Sequence, residues 1–357
     1  MAGLTSGSGA ASGSASRGLL ALERVEPAPV VGQSLANLDL AFGEGRSGLV
    51  IGDGGWLYSD EEFDPVPDAQ RQMRDNLALI RGVRDALARR DIALVLAIVP
   101  AKARLYPEYL GEHRVDGLRA DLYQRFHAAM RRADISAPDL LGPLQQAKSQ
   151  GQLFLRTDTH WTPLGAEIAA RQLSTAALPG GEKQQFVTET GTATLHKGDL
   201  TRFLPVDPLF SELLPPPDLL QQRQTHAADA AASAAEALFA ERELPVALVG
   251  TSYSANPAWN FAGALRQYLQ RDLSNQAVDG QGPIRPMLSY LRSDELSKAP
   301  PRLVIWEFPE RYLPMASDLD DFDPAWIAEL KAAPDRSAWR ATADAETRQP
   351  PAPWPPL

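Results

Sequence analysis

No cysteine occurs among the 357 residues. Disulfides, iron–sulfur ligation, cysteine zinc sites and a thiol nucleophile are therefore excluded. Compartment stays open, because a chain this long can build its core without a covalent staple. Long apolar runs are missing too: the longest, 92–99, has eight residues, against the roughly twenty needed to cross a bilayer. Nor is there an excess of positive charge. Lys and Arg number 35 against 45 Asp and Glu, for a formal net charge of −10, and the pI is near 5.1. That balance argues against nucleic acid as a partner. Residues 2–16 are almost all Gly, Ser and Ala, with neither the early positive charge nor the apolar stretch of a secretory signal. Histidine is scarce, at five residues.

What is present is a folding sequence. Gly (26) and Pro (30) together stay well below the roughly 25–30% of wholly disordered chains. The ends differ from the middle: 1–30 reads as a flexible Gly/Ser/Ala-rich segment and 336–357 as an extended Pro-rich tail. Between them, 31–335 reads as one domain. Helical stripes are expected over 70–89 and 118–132, a buried strand over 92–99, and a short strand at 153–155. A helix capped by Thr162, with Pro163 in its first turn, follows. An irregular insertion over 176–243 interrupts the pattern and includes an alanine-rich helix candidate at 227–243. Strands are then expected at 246–249, 273–278 and 303–306, with helices at 260–269 and 287–291. Repeated strand–helix units argue for an α/β fold with a mostly parallel sheet covered on both faces.

Ligands of such sheets bind at the carboxyl ends of the strands. Two places there carry chemistry. In 245–254 a hydrophobic strand runs into Gly250-Thr251-Ser252. A serine just past a strand end can expose its hydroxyl while backbone N–H groups point into the same space; the alternative is an ordinary turn. In 155–163 an apolar run ends in Asp158-Thr159-His160. Positions two apart in extended backbone face one way, so both side chains can line one cleft as a general base and its orienting carboxylate. A surface turn and a metal-ligand pair are the other readings, the metal being disfavoured by the shortage of histidine and cysteine. A strand-end serine and a strand-end Asp-x-His in one sheet support each other.

The two motifs together, DTHWT at 158–162 and GTSYSANP at 250–257, resemble the SGNH/GDSL-like hydrolase superfamily, and within it the alginate O-acetyltransferase branch of the AlgJ and AlgX type. Further blocks in the same order look like that branch: GDGGWLY at 52–58, VPAKARLYPEYL at 99–110, KGDLTRFLP at 197–205, NFAGALRQYL at 260–269, GQGP at 280–283 and WEFPERYL at 306–313. The resemblance spans about 48–315. It implies an SGNH-like three-layer α/β/α sandwich in circularly permuted order, with Asp and His before Ser. Ser252 would be the nucleophile, His160 the general base and Asp158 its orienter. Ordinary superfamily members carry Asp-x-x-His and Gly-Asp-Ser, so Asp-x-His and Gly-Thr-Ser count against a plain GDSL lipase.

For the oxyanion, the Ser252 N–H is expected to serve, with Gly280 or Gly282 as a second donor. Arg311 and Tyr312 either bind an anionic acceptor or the oxyanion, or, for Arg311, form a structural ion pair. Lys102 and Arg104, just past a strand end, either meet a uronate carboxylate or lie in a solvated loop, and Trp161 either stacks on a sugar ring or packs in the core. Trp56 is expected in the core, and His196 and His226 carry no constellation.

The resemblance thus implies a polysaccharide O-acetyltransferase using an acetyl-serine intermediate and no cofactor. A membrane-bound O-acyltransferase is the implied source of acetyl groups and the periplasm the implied compartment. The rivals are a carbohydrate acetylesterase and a non-catalytic polysaccharide-binding or scaffold subunit; the intact Asp158, His160 and Ser252 argue against the latter. About 40 residues follow WEFPERYL, too few for a further carbohydrate-binding module, so polymer binding is expected to be weak or supplied by a partner.

Overall fold

The computed structural model describes residues 48–115, 117–176, 183–204, 213–228 and 244–332. The expected N-terminal segment and C-terminal tail, and all but the first two residues of the alanine-rich helix candidate, lie outside them.

After a short antiparallel pair, β1 (Val50–Ile51) and β2 (Leu57–Tyr58), a four-stranded parallel sheet forms the centre. Its strands are β3 (Ala93–Val99), β6 (Val246–Val249), β7 (Leu273–Asn275) and β8 (Leu303–Pro309), in the order β3-β8-β6-β7. Registers run Ala93 to Leu303, Val246 to Leu303 and Val246 to Leu273. β6 and β8 are buried at every position, which requires cover on both faces. Two groups of helices supply it. α1 (Ala69–Ala88) packs on β3 and on α7 (Ile284–Leu291) and α8 (Pro324–Lys331), whereas α4 (Pro163–Leu173) packs on α3 (Leu141–Ala147) and on α6 (Phe261–Leu269). α1 buries Met73, Leu79, Ile80, Val83 and Leu87, the spacing of one helical face. α2 (Leu122–Arg132) buries Leu122, Phe126 and Met130 in the same way.

This is the α/β arrangement with a mostly parallel sheet that strand–helix alternation predicts. Thr162 caps α4, its hydroxyl accepting from the Gly165 N–H, with Pro163 at the first helical position. β8 runs three residues further than expected, through Glu307 to Pro309.

Two expectations need correction. The run 153–155 is no strand of the central sheet. Phe154 bridges only to Trp161, Leu155 N–H donates to the His160 carbonyl (3.0 Å), and Thr162 N–H donates to the Leu153 carbonyl (2.9 Å). Three buried apolar residues help anchor this closed loop, which has no sheet partner. The insertion is also more regular than read: β4 (Phe186–His196) and β5 (Asp218–Ala227) form an antiparallel ribbon, from Phe186 opposite Ala227 to His196 opposite Asp218. Its Thr-rich composition favours strand, but both of its faces are largely exposed, so no apolar alternation marks it. Ala227, expected to begin a helix, ends β5.

Candidate functional site

The parallel sheet delivers the ends of β3, β6 and β8 to one side of the molecule. After β6, Thr251 caps the short helix α5 (Ser252–Ala255), its hydroxyl accepting from the Tyr253 N–H. Gly250 is required at the turn: a Cβ there would sit 2.4 Å from Glu307 Oε2. Glu307, fully buried on β8, holds the turn from below. It accepts from the Thr251 N–H (2.7 Å), the Thr251 hydroxyl (3.0 Å) and the Ser254 hydroxyl (3.1 Å). Burial pushes its carboxyl up to about 7, against the opposing pull of these donors. Ser252 is left with its hydroxyl at the cleft.

The loop after Leu155 brings the other two groups. His160 Nε2 lies 2.7 Å from Ser252 Oγ, and His160 Nδ1 lies 2.6 Å from Asp158 Oδ1. The same carboxylate oxygen accepts from the His160 backbone N–H (2.9 Å). This is an Asx-type turn, so a tight turn and not a pleated strand faces both side chains to one cleft. With Nδ1–H donated to Asp158, Nε2 keeps its lone pair for the serine proton. The imidazole stacks on Trp259, ring centroids 5.1 Å apart and planes 21° from parallel.

Asp158 has further partners. His196 Nε2 donates to Oδ2 (2.8 Å), and so does the Asp199 N–H (3.0 Å). Burial acts to raise the Asp158 pKa, but the hydrogen bonds from His160 and His196 outweigh it and hold the group well below the usual carboxylate range. Asp158, His160 and Asp199 also bring candidate metal-ligand atoms within 4.8 Å of one another. Both Asp158 oxygens are already engaged, and Asp199 Oδ1 accepts from Thr159, so the cluster has the chemistry of a hydrogen-bond network.

The loop is fastened from two sides. From the ribbon, Asp218 accepts from the N–H groups of Arg156 and Thr157, both at 2.8 Å, and from the Thr157 hydroxyl. From the end of β3, the Lys102 ammonium donates to the carbonyls of Leu155 (2.8 Å), Arg156 (3.0 Å) and Asp158 (2.8 Å).

Lys102 is therefore not a substrate contact. It is 1% exposed, with its pKa lowered to about 8 by burial. Arg104 pairs with Glu310 at 2.8 Å, away from the cleft. Trp161, wholly buried, donates to the Tyr253 carbonyl (3.2 Å) and stacks on no solvent-facing ligand surface. Lys102 was expected from its place past a strand end, but its apolar stem and carbonyl-rich surroundings draw it inward. Trp161 is carried into the core by the same closed loop that presents His160. Trp56 is buried, as expected.

Gly280, Gly282, Arg311 and Tyr312 line the same cleft as Ser252, a space of about 420 Å³. Gly280 and Gly282 have φ of +73° and +62°, the left-handed region that favours glycine. Arg311 is buried, bonded to Glu61 (2.8 Å) and the Tyr253 hydroxyl (3.2 Å), so it is both an ion-pair partner and a wall of the cleft. Sequence reasoning missed His196, Asp199 and Asp218. The advance signal was the strand pattern that pairs 196 with 218 and, for Asp199, its place in the KGDLTRFLP block.

Among the described residues, no helix is long and apolar enough to cross a membrane. Comparison with known proteins agrees with this fold and its motifs. Residues 49–310 match the family described as SGNH hydrolase-like domain, acetyltransferase AlgX. The chain is 60% identical over 294 residues to a probable alginate O-acetylase AlgJ of Pseudomonas putida, covering 81% of this chain and 76% of the relative. It is 60% identical over 296 residues to the corresponding protein of Azotobacter vinelandii, at 82% and 76% coverage. The solved O-acetyltransferase domain of Pseudomonas putida AlgJ superposes with a TM-score of 0.75 at 56% identity, covering 80% of this chain and 99% of that one. The chain thus belongs to the AlgX-type family of SGNH hydrolase-like acetyltransferases.

Proposed function

We propose that this protein is a polysaccharide O-acetyltransferase that acetylates hydroxyls of an alginate-like exopolysaccharide through an acetyl-serine intermediate. The observation that carries the reading is the unbroken chain from Ser252 Oγ to His160 to Asp158, at 2.7 and 2.6 Å, in a member of this acetyltransferase family.

In the first step His160 Nε2 takes the Ser252 proton as Oγ attacks the acetyl carbonyl of the donor. The oxyanion forms against the Ser252 N–H, with an N–H of Gly280 or Gly282 as second donor. The imidazolium, stabilised by Asp158, then gives its proton to the leaving oxygen. In the second step the same imidazole deprotonates a sugar hydroxyl, which attacks acetyl-Ser252 and releases the serine. Arg311 and Tyr312 are assigned to the wall that receives the acceptor. Family membership supports a membrane-bound O-acyltransferase as the source of acetyl groups and the periplasm as the place of reaction.

The test is intact mass spectrometry after incubation with an activated aryl acetate. The wild type gains one acetyl group mapped to Ser252; Ser252→Ala gains none and loses on the order of a thousandfold or more in rate, since such groups act as a unit. Added oligosaccharide then draws the acetyl group away from water. Hydrolysis that ignores the acceptor would make the protein an acetylesterase, and near-native turnover by Ser252→Ala would remove Ser252 as nucleophile.

A further inference from the structure

His196 sits at the last position of β4, and no step above uses it. Its Nε2 lies 2.8 Å from Asp158 Oδ2, while His160 holds Oδ1 of the same carboxylate at 2.6 Å. Two imidazoles therefore grip one carboxylate from opposite oxygens. Trp259 fixes both rings. It stacks on His160 and meets His196 edge-on, centroids 5.5 Å apart and planes at 82°. The cross-strand partner of His196, Asp218, fastens the same loop at Arg156 and Thr157.

We propose that His196 is a positioning residue, which holds Asp158 in line with His160 when neutral and weakens that carboxylate's support of His160 when protonated. The inference rests on the Ser252–His160–Asp158 reading above. Asp158 carries a single negative charge. When the serine proton reaches His160, the new imidazolium is stabilised by that charge. A second imidazolium already bonded to Oδ2 offsets the same charge, and His160 becomes a poorer base.

The groups facing His196 set its titration. Asp158 comes from the closed loop, Asp218 from β5 and Asp199 from the turn that follows β4, whereas the Pro257–Trp259 turn offers the Trp259 ring. The hydrogen bond it donates to Asp158 raises the His196 pKa above its ordinary value, against the opposing effect of partial burial. Protonation therefore begins at a higher pH than for a free histidine. Activity is full above that pKa and falls as acid adds the proton.

The experiment compares wild type, His196→Gln and His196→Leu, each with the aryl acetate across the acid side of the pH profile. Gln keeps an N–H donor for Asp158 but does not titrate; Leu provides no donor. The wild type is expected to fall more steeply on the acid side than His196→Gln, because only the wild type takes up a proton at position 196. His196→Gln falls with a slope of one and keeps its plateau rate within a few-fold. His196→Leu loses on the order of tenfold to a hundredfold at the plateau, as when a partner orienting a reacting group is removed. Superimposable one-proton limbs for wild type and His196→Gln overturn the proposal, as does a wild-type plateau in a folded His196→Leu. Ser252→Ala is run alongside. If it stays active, the underlying reading has failed; if it is dead while the limbs superimpose, only the role of His196 has failed.

Discussion

Glu307 lies directly beneath the turn that presents Ser252, and its burial gives the protein's stability a pH dependence of its own. Its carboxyl is pushed up to about 7 from an ordinary 4.5. Between those values the unfolded chain has released the proton and the folded chain has kept it, so stability falls as pH rises through the window and stays lower above it. Glu307→Gln keeps an acceptor for the Thr251 N–H and cannot ionise. The stability gap between variant and wild type should therefore move in favour of Gln by about 3 kcal/mol from pH 4.5 to 7.5. Urea midpoints across that range test it; parallel profiles would show that Glu307 does not titrate there. The Ser252 and Asp158–His160 motifs stood out by residue type and spacing, although only Ser252 follows a strand and a closed loop carries Asp158 and His160. Lys102 was misread, and Trp161 was left between cleft and core, because a sequence gives a side chain's type but not its direction. His196 was silent because its partner, Asp158, is 38 positions away.

The β4–β5 ribbon does at element scale what no single residue does. Its base places His196 and Asp218 side by side, and together they hold the loop that carries Asp158 and His160. Removing the Asp218 carboxylate leaves the N–H groups of Arg156 and Thr157 and the Thr157 hydroxyl without that acceptor. A buried donor left unpaired costs about 1–3 kcal/mol, so Asp218→Ala should melt several degrees lower. It should also lose kcat more than it raises KM for a small acetyl ester, because the loop moves while the walls of the cleft remain. Steady-state kinetics beside a thermal melt decide it, and a wild-type kcat would show that the ribbon only decorates the site. The helices and the central strands were readable from their periodicity and apolar runs. The ribbon was not separated from loop because both faces are largely exposed, so its alternation lacks the apolar half that marks a strand.

At the scale of the whole molecule, the Asp158–His160 pair precedes Ser252 in the chain, yet the closed loop and the end of β6 bring all three to one cleft. That order was visible from the motifs alone; the distances depend on packing no motif encodes. Charge is the other whole-molecule property, and it opposes the proposed acceptor. The chain carries a formal −10, and a uronate polymer is itself a polyanion. The cleft mixes cations such as Arg311 and Arg202 with Asp60, Glu61 and Asp279. A polymer longer than the cleft feels the field of the whole protein, which is repulsive and reaches about 30 Å at 0.01 M salt but only about 10 Å at 0.1 M. Acetylation of long polymer should therefore speed up several-fold in kcat/KM over that range of salt, while hydrolysis of a neutral aryl acetate stays flat. A polymer rate that falls with salt instead would mean that the cations at the cleft, and not the net charge, govern how the acceptor arrives.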